Sequence, residues 1–307
     1  MYFTSLPDPK QPGFNEELHY RKFKNHNIIF SAKSTHSYCR RHVGCLSIKT
    51  VLSGEEWYGI NSHKVAVRPG QFLILNDQQS YSCEINSEKP VHTLSVFFKN
   101  SFASEVLRDL TCDEEMMLDE PFSMAEKLPE FFQTLNPISD TFRTLLVSLL
   151  NTLNKPGYSS NTEDEYLVFI LRYLISVQKS DRIRANNINA VKAATKSELY
   201  RRLCIAKDVL HSSFMDEPTL ELIGNTACMS VPQLVRNFKT VFHATPHQYL
   251  TVIRLKHAAG LLKNNSLSLQ EIVWASGFEN VSSFCRLFKS AYDISPILFR
   301  KSGATLI

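Results

Sequence analysis

The chain has 307 residues, 43% hydrophobic, 11% aromatic and 21% charged, an ordinary globular composition with room for two cores that excludes a low-complexity or fibrous protein. The formal charge is only +4, but from Lys196 onward 13 Lys and Arg stand against 8 Asp and Glu, a net +5 that leaves the rest at −1. A polyanion would therefore dock on the last third.

The opening MYFTSLPDPK lacks the charged and apolar regions of a secretory leader, so none is expected. The seven cysteines are odd in number and include no C-x-x-C, which points away from a disulfide framework or zinc ribbon and towards a reducing cytoplasm. HSYCRRHVGC spaces His36, Cys39, His42 and Cys45 three apart. In a loop these could close around zinc, whereas a strand or a helix would scatter them, and ordinary loop or strand residues are the favoured reading.

From about Gly44 to Phe98, six short runs (CLSIKTVL, EEWYGI, HKVAV, QFLIL, SYSCEI, HTLSVFF) are separated by turn chemistry at Ser53-Gly54, Asn61-Ser62, Arg68-Pro69-Gly70, Asn76-Asp77 and Pro90. They predict an antiparallel sandwich or barrel. Trp57, Tyr58, His63 and Tyr81 are the candidate contacts for a small effector inside it, although for any one of them an ordinary core or rim residue is the favoured reading.

Helical periodicity follows over Thr141 to Leu153 and Glu163 to Val177, with the loop NKPGYSSN between. Tyr166 to Val177 is the most apolar segment. Arg172 interrupts it and it falls short of the ~20 residues a membrane span needs, so it reads as a buried helix. Helices between Ser123 and Val177 offer a surface for self-pairing. Gln178 to Ser197 is polar and weakly periodic, and a linker is expected over 181–197.

After the linker the chain repeats itself. RNFKTVFHATP (Arg236 to Pro246) and RLFKSAYDISP (Arg286 to Pro296) share the frame R-x-F-K-x-x-x-x-x-x-P. A gapless offset of 50 also sets Glu221 on Glu271, Ile223 on Val273, Ala227 on Gly277, Ser230 on Asn280 and Tyr249 on Phe299, so one structural unit is used twice. Each unit reads as helix-turn-helix, the first over about 219–242 and the second over about 268–292. Ser268 and Glu271 form a capping box, Gly277 permits the turn, and Ser230 and Asn280 cap the second helices.

At about 100° per residue, Leu234, Phe238 and Val241 face inward in the first unit, and Phe284, Phe288 and Ala291 in the second. Pro232, Arg236, Lys239 and Thr240 face outward, as do Ser282, Arg286, Lys289 and Ser290. Such an arginine can grip a guanine edge in the major groove while the lysine neutralises phosphate. The base-reading candidates are Gln233, Arg236, Ser282, Ser283 and Arg286; the phosphate candidates are Lys239, Thr240, Lys289 and Ser290. For a single helix the bland alternative, a merely solvated face, would be preferred; two copies in register weigh against it. Between them His247 to Asn264 predicts a helix of roughly 27 Å, a rod able to hold two readers near one duplex turn apart, ~34 Å.

GFENVSSFCRLFKSAYDISPILFRK strongly resembles the second helix-turn-helix of AraC/XylS-type bacterial transcription regulators, through Gly277-Phe278, Ser282, Phe284, Arg286, Phe288-Lys289, Pro296 and Arg300. The first copy and connecting helix fit the same module through Leu234, Arg236, Phe238-Lys239, Pro246, Tyr249-Leu250, Arg254, Ala258, Ala259 and Leu261-Leu262, so the likeness covers roughly Lys196 to Lys301. It departs at His243 and Asp293, where the family usually has Gly after the recognition helix, at Cys228 for a turn glycine, and at Val281 for a usually polar residue. Arg68 to Ile85 likewise resembles the strand-turn-strand of the cupin-like effector domains found ahead of such modules. Tyr81 stands about where cupin enzymes place a metal-binding His, and no His-x-His occurs, so metal-dependent chemistry is disfavoured.

The expectation is an α+β, two-domain regulator: a cupin-like sandwich or barrel with helices over 1–180 that binds an effector or dimerises, a linker, and an all-α DNA-binding domain over 198–307. The resemblance implies a cytoplasmic homodimeric activator that binds double-stranded DNA and, as an activator, RNA polymerase. No catalytic residue, cofactor, metal or membrane partner is expected. The alternatives are a cupin-type metal enzyme with an appended helical domain, and a helical domain that binds protein rather than DNA.

Overall fold

The computed structural model describes residues 1–7, 12–61, 63–111, 128, 130–158, 160–263 and 267–302. Ser62 of the expected Asn61-Ser62 turn, Asn264 of the connecting helix and Ser123 at the start of the self-pairing region lie outside them. The chain divides into two compact units, Met1–Asn186 and Asn187–Ile307.

The first unit is built on an eight-stranded sheet: β1 (Tyr2–Phe3), β2 (Ile28–Val43), β3 (Ser47–Ser53), β4 (Glu56–Ile60), β5 (His63–Val67), β6 (Gln71–Leu75), β7 (Ser80–Phe97) and β8 (Leu135–Pro137). The order is β1-β2-β7-β3-β6-β8, with β4 joining β5 to β7. Among the described strand pairs only β1 against β2 is parallel. Among the described residues the unit also has helices α1 (Glu16–Asn25), α2 (Asn100–Thr111), α3 (Asp140–Leu153) and α4 (Ser160–Asn186).

Two expected strands, SYSCEI and HTLSVFF, are one. β7 runs through Pro90 because the β2–β7 register breaks between Ser34 and His36; an irregular site of this kind needs no ladder donor, so proline is tolerated. The length of β7 organises the sheet. Along one edge it pairs with β2; along the other its first part pairs with β4 (Tyr81 to Glu84) and its last with β3 (His92 to Phe97). β2, not expected as a strand, also carries His36, Cys39 and His42 of HSYCRRHVGC, while Cys45 follows it in the turn before β3.

Alternation sorts the side chains into two cores. Phe72 and Ile74 join Ile48, Leu94 and Val96 against Phe142, Leu146 and Leu171 of α3 and α4, while Leu73 and Leu75 join Val51, Tyr58, Val65 and Val91 on the other face. After Gln71 the strand is apolar throughout, Phe72 to Leu75, because both faces of β6 are covered.

The linker expectation is corrected. α4 continues to Asn186 because its polar tail is satisfied: Gln178 Nε2 donates to Glu130 O at 2.8 Å, and Arg184 pairs with buried Asp181 at 3.2 Å. Helix resumes at Ala193, leaving 187–192 between.

The second unit contains α5 (Ala193–Ser212), α6 (Leu220–Thr226), α7 (Val231–Phe242), α8 (Pro246–Lys263), α9 (Leu269–Ala275), α10 (Val281–Tyr292) and α11 (Pro296–Ser302). α8 is the spine. Its first half meets α7 through Tyr249, 5.4 Å from the Phe238 ring and 5.9 Å from Phe242; its second half enters a core of Leu255, Ala258, Ala259, Leu262, Ile272, Val273, Phe284, Phe288 and Phe299.

Candidate nucleic-acid interface and effector cavity

Each helix-turn-helix is set by its own caps. Thr219 accepts from the Leu222 amide and Ser268 from that of Glu271, whose carboxylate returns the bond to the Ser268 amide. Asn280 accepts from the Ser282 and Ser283 amides. Ser230 occupies the matching position without a side-chain bond, and the first turn of α7 instead carries a Pro whose missing N–H costs nothing there.

These bonds correct the alignment of the copies. In the first turn Cys228 N donates to Asn225 O and Met229 N to Gly224 O; in the second, Gly277 N donates to Trp274 O and Phe278 N to Val273 O. Every equivalent pair is 49 apart, as are the caps Thr219 and Ser268. From the caps Ser230 and Asn280 onward the offset is 50. The second copy therefore carries one extra turn residue, and Cys228, not Ala227, corresponds to Gly277. Both adopt positive φ, 52° and 76°.

Of the outward set, Pro232, Arg236, Lys239, Thr240, Ser282, Arg286, Lys289 and Ser290 are exposed, and Gln233 and Ser283 half-buried. Among the described residues, none of Arg236, Lys239, Arg286 or Lys289 enters an ion pair. Leu234, Phe238, Val241, Phe284 and Phe288 are buried as expected. Ala291 is not: it is exposed, because α11 and α8 close over Phe288 and Phe299 and leave the last turn of α10 in solvent. Both recognition helices end in left-handed residues, His243 (φ 58°) and Asp293 (φ 57°). An L-residue pays about 1–2 kcal/mol there, partly offset by the ~0.5–1 kcal/mol a glycine loses in chain entropy. His243→Gly should thus raise stability by about 0.5–1 kcal/mol; a lower melting temperature for the second unit in calorimetry would refute the strain.

Arg254, one of the resemblance residues, proves structural. It is buried in α8; its Nε donates to Phe214 O at 2.7 Å, its Nη1 to Glu217 at 3.3 Å, and its guanidinium lies 5.9 Å from the Phe278 ring.

In the first unit Tyr58 and Tyr81 line a cavity of about 340 Å³ together with Lys49, Glu56, Cys39 and His42. Trp57 and His63 do not. Trp57 follows the opposite strand parity and donates from Nε1 to Glu55 at 2.6 Å, and His63 sits on β5 paired with Ile60, its pKa lowered by burial. A register irregularity between Cys39 and His42 lets both face the cavity. His36 lines a separate depression, and no group of three such side chains among the described residues could hold a metal ion. Burial first, then Lys49 and His19, lowers His42 to about 3, so it is neutral. Lys49 and Glu56 were missed; the signal available was a lysine sharing strand parity with Ser47 and Val51 in an apolar run.

Residues 223–302 match the family described as "Helix-turn-helix domain", which spans the turn and recognition helix of both copies. Residues 223–302 of the second unit are a helix-turn-helix domain. Two curated relatives illustrate the likeness. The HTH-type transcriptional regulator MtrA of Neisseria gonorrhoeae is 36% identical over 88 residues, 29% of each chain, and the Msm operon regulatory protein of Streptococcus mutans is 21% identical over 254 residues, 83% of each. At 32–36% identity the chain spans less than a third of the length of the relatives it matches. Among solved structures, fatty-acid-bound ToxT of Vibrio cholerae aligns with 92% of this chain and 96% of its own at 14% identity and a TM-score of 0.35. The matched helix-turn-helix domain thus coincides with the repeat. No helix among the described residues is long and apolar enough to cross a membrane.

Proposed function

We propose that the chain is a sequence-specific transcription regulator, an activator acting in the cytoplasm, that reads adjacent major grooves with α7 and α10. The observation that carries this reading is the two-fold presentation, from one spine, of an exposed Arg one turn before an exposed Lys. Gln233, Arg236, Ser282, Ser283 and Arg286 read bases; Lys239, Thr240, Lys289 and Ser290 hold phosphates. Selection of bound sites from random duplexes tests it: recovery of no common sequence would contradict the proposal. In the same assay Lys289→Ala should weaken operator and random DNA alike and reduce the salt slope by about 1.

The first unit is a cupin-like sensor in this reading, its cavity the place for a small effector. Val147, Phe169 and Ile183 are exposed on α3 and α4, which supports a homodimer through these helices. As an activator it would engage RNA polymerase on the bound promoter.

A further inference from the structure

We propose that Cys39 and Cys83 form an oxidant-sensing pair: a hydroperoxide entering the cavity of the first unit converts their two thiols into a reversible disulfide that joins β2 to β7. This stands apart from the DNA reading. Cys39 and Cys83 are register partners, directly opposite each other on neighbouring antiparallel strands. Residues so placed have Cα atoms about 4.5 or 5.5 Å apart, according to whether the pair exchanges backbone bonds, and both separations fall within the ~4.4–6.8 Å that a disulfide spans. Both are half-buried thiols on the cavity wall, and they hydrogen-bond to each other. A buried cysteine is by default a small apolar side chain. Cys45 behaves as one: burial pushes its thiol up to about 11, and it does not line the cavity. The facing pair differs in having a partner sulfur and a space from which a reagent can arrive.

The two sulfurs are not equivalent. The hydrogen bond to Cys39, then burial, holds the Cys83 thiol protonated well above the usual thiol range, so Cys39 is the nucleophile and Cys83 the resolving thiol. Lys49 is 2% exposed and lines the same cavity; burial lowers it only to about 8, so it is an ammonium at neutral pH, and its charge acts on both sulfurs. A cation so placed favours the thiolate that attacks. Cys39 Sγ attacks one oxygen of the hydroperoxide, the O–O bond breaks, and the other oxygen leaves as water or an alcohol, which makes Cys39 a sulfenic acid. Cys83 Sγ then attacks that sulfur, the S–O bond breaks, and water leaves with the Cys83 proton. The two thiols give up two electrons and two protons, and the hydroperoxide takes both.

Reversal follows from the strand geometry. Opposed β-carbons in a sheet lie about 4.5–5.5 Å apart, whereas a disulfide holds them at ~3.5–4.5 Å, so closure draws β2 and β7 together. The register irregularity between Cys39 and His42 gives β2 slack beside the bond. The strain that remains makes the bond readily reduced, the property of a switch rather than of a staple.

Brief exposure of the full chain to hydrogen peroxide, alkylation of the remaining thiols and mass spectrometry of a non-reducing digest test the proposal. The expected product is a Cys39–Cys83 cross-linked peptide, formed before the exposed Cys228 of the second unit is modified and lost on treatment with dithiothreitol. Cys83→Ser should lose the link and gain a dimedone adduct at Cys39 that the unaltered chain does not form, while Cys39→Ser should leave Cys83 unmodified at the same dose. A link from either residue to Cys45, oxidation of Cys228 ahead of the pair, or sulfinic acid at Cys39 with no link overturns the proposal. Dimedone capture at Cys83 in Cys39→Ser overturns the assignment of roles. Should the serine variants not fold, the digest of the unaltered chain decides by itself.

Discussion

Arg286→Ala lowers affinity for the selected operator by roughly 1–3 kcal/mol and relaxes the base preference at one position, while affinity for random duplex changes far less. The expectation rests on position: Arg286 is exposed in mid-helix, free of any ion pair among the described residues, with Ser282 and Ser283 one turn before it. Arg286→Lys is the sharper control. It keeps the charge, and with it the salt slope, but cannot form the two-pronged bond to a guanine edge. Equal losses on operator and random DNA for both variants would make Arg286 a phosphate contact instead. Arg236→Ala should act on a different base position if, as proposed, α7 and α10 read separately.

The second large effect is on folding. Gly277→Ala should destabilise the second unit by about 3 kcal/mol, read as a drop in its thermal or urea midpoint. One part is conformational: φ is 76°, which costs an L-residue about 1–2 kcal/mol. The other is steric. A β-carbon there would lie 2.8 Å from Arg254 Nε and 2.9 Å from Phe214 O, the donor and acceptor of a buried bond, and disturbing a charged bond of this kind costs about 1.5–3 kcal/mol. Gly70→Ala, with φ 84° and nothing within 4 Å of the new atom, isolates the first part and should cost only about 1 kcal/mol. Equal losses at the two glycines would show that Arg254 yields without penalty.

The helix-turn-helix pair was legible because its determinants are local. Caps at Thr219, Ser268 and Asn280 and a glycine at 277 act within three or four residues of themselves. The true equivalence of the first helices was not. Leu222-Ile223 and Ile272-Val273 are apolar doublets, so a slide of one residue still sets apolar on apolar, and only the backbone bonds of the turns show the extra residue. Strands were legible as apolar runs, but their joining was not: Pro90 reads as a break unless the irregularity opposite it, near Ser34, is known. Lys49 and Glu56 stayed hidden for a similar reason. Charged residues on strands default to solvent, and what buries them is the distant pairing of β7 with both β2 and β4.

The two proposed recognition helices are unlike, PQLVR against SSFCR at the matching turns, and they are strung in fixed order on α8. A tandem of this kind has a head and a tail, whereas a symmetric pair has neither. Under the proposed function, occupied DNA acquires an arrow: reversing the site in a promoter exchanges which of α7 and α10 lies upstream.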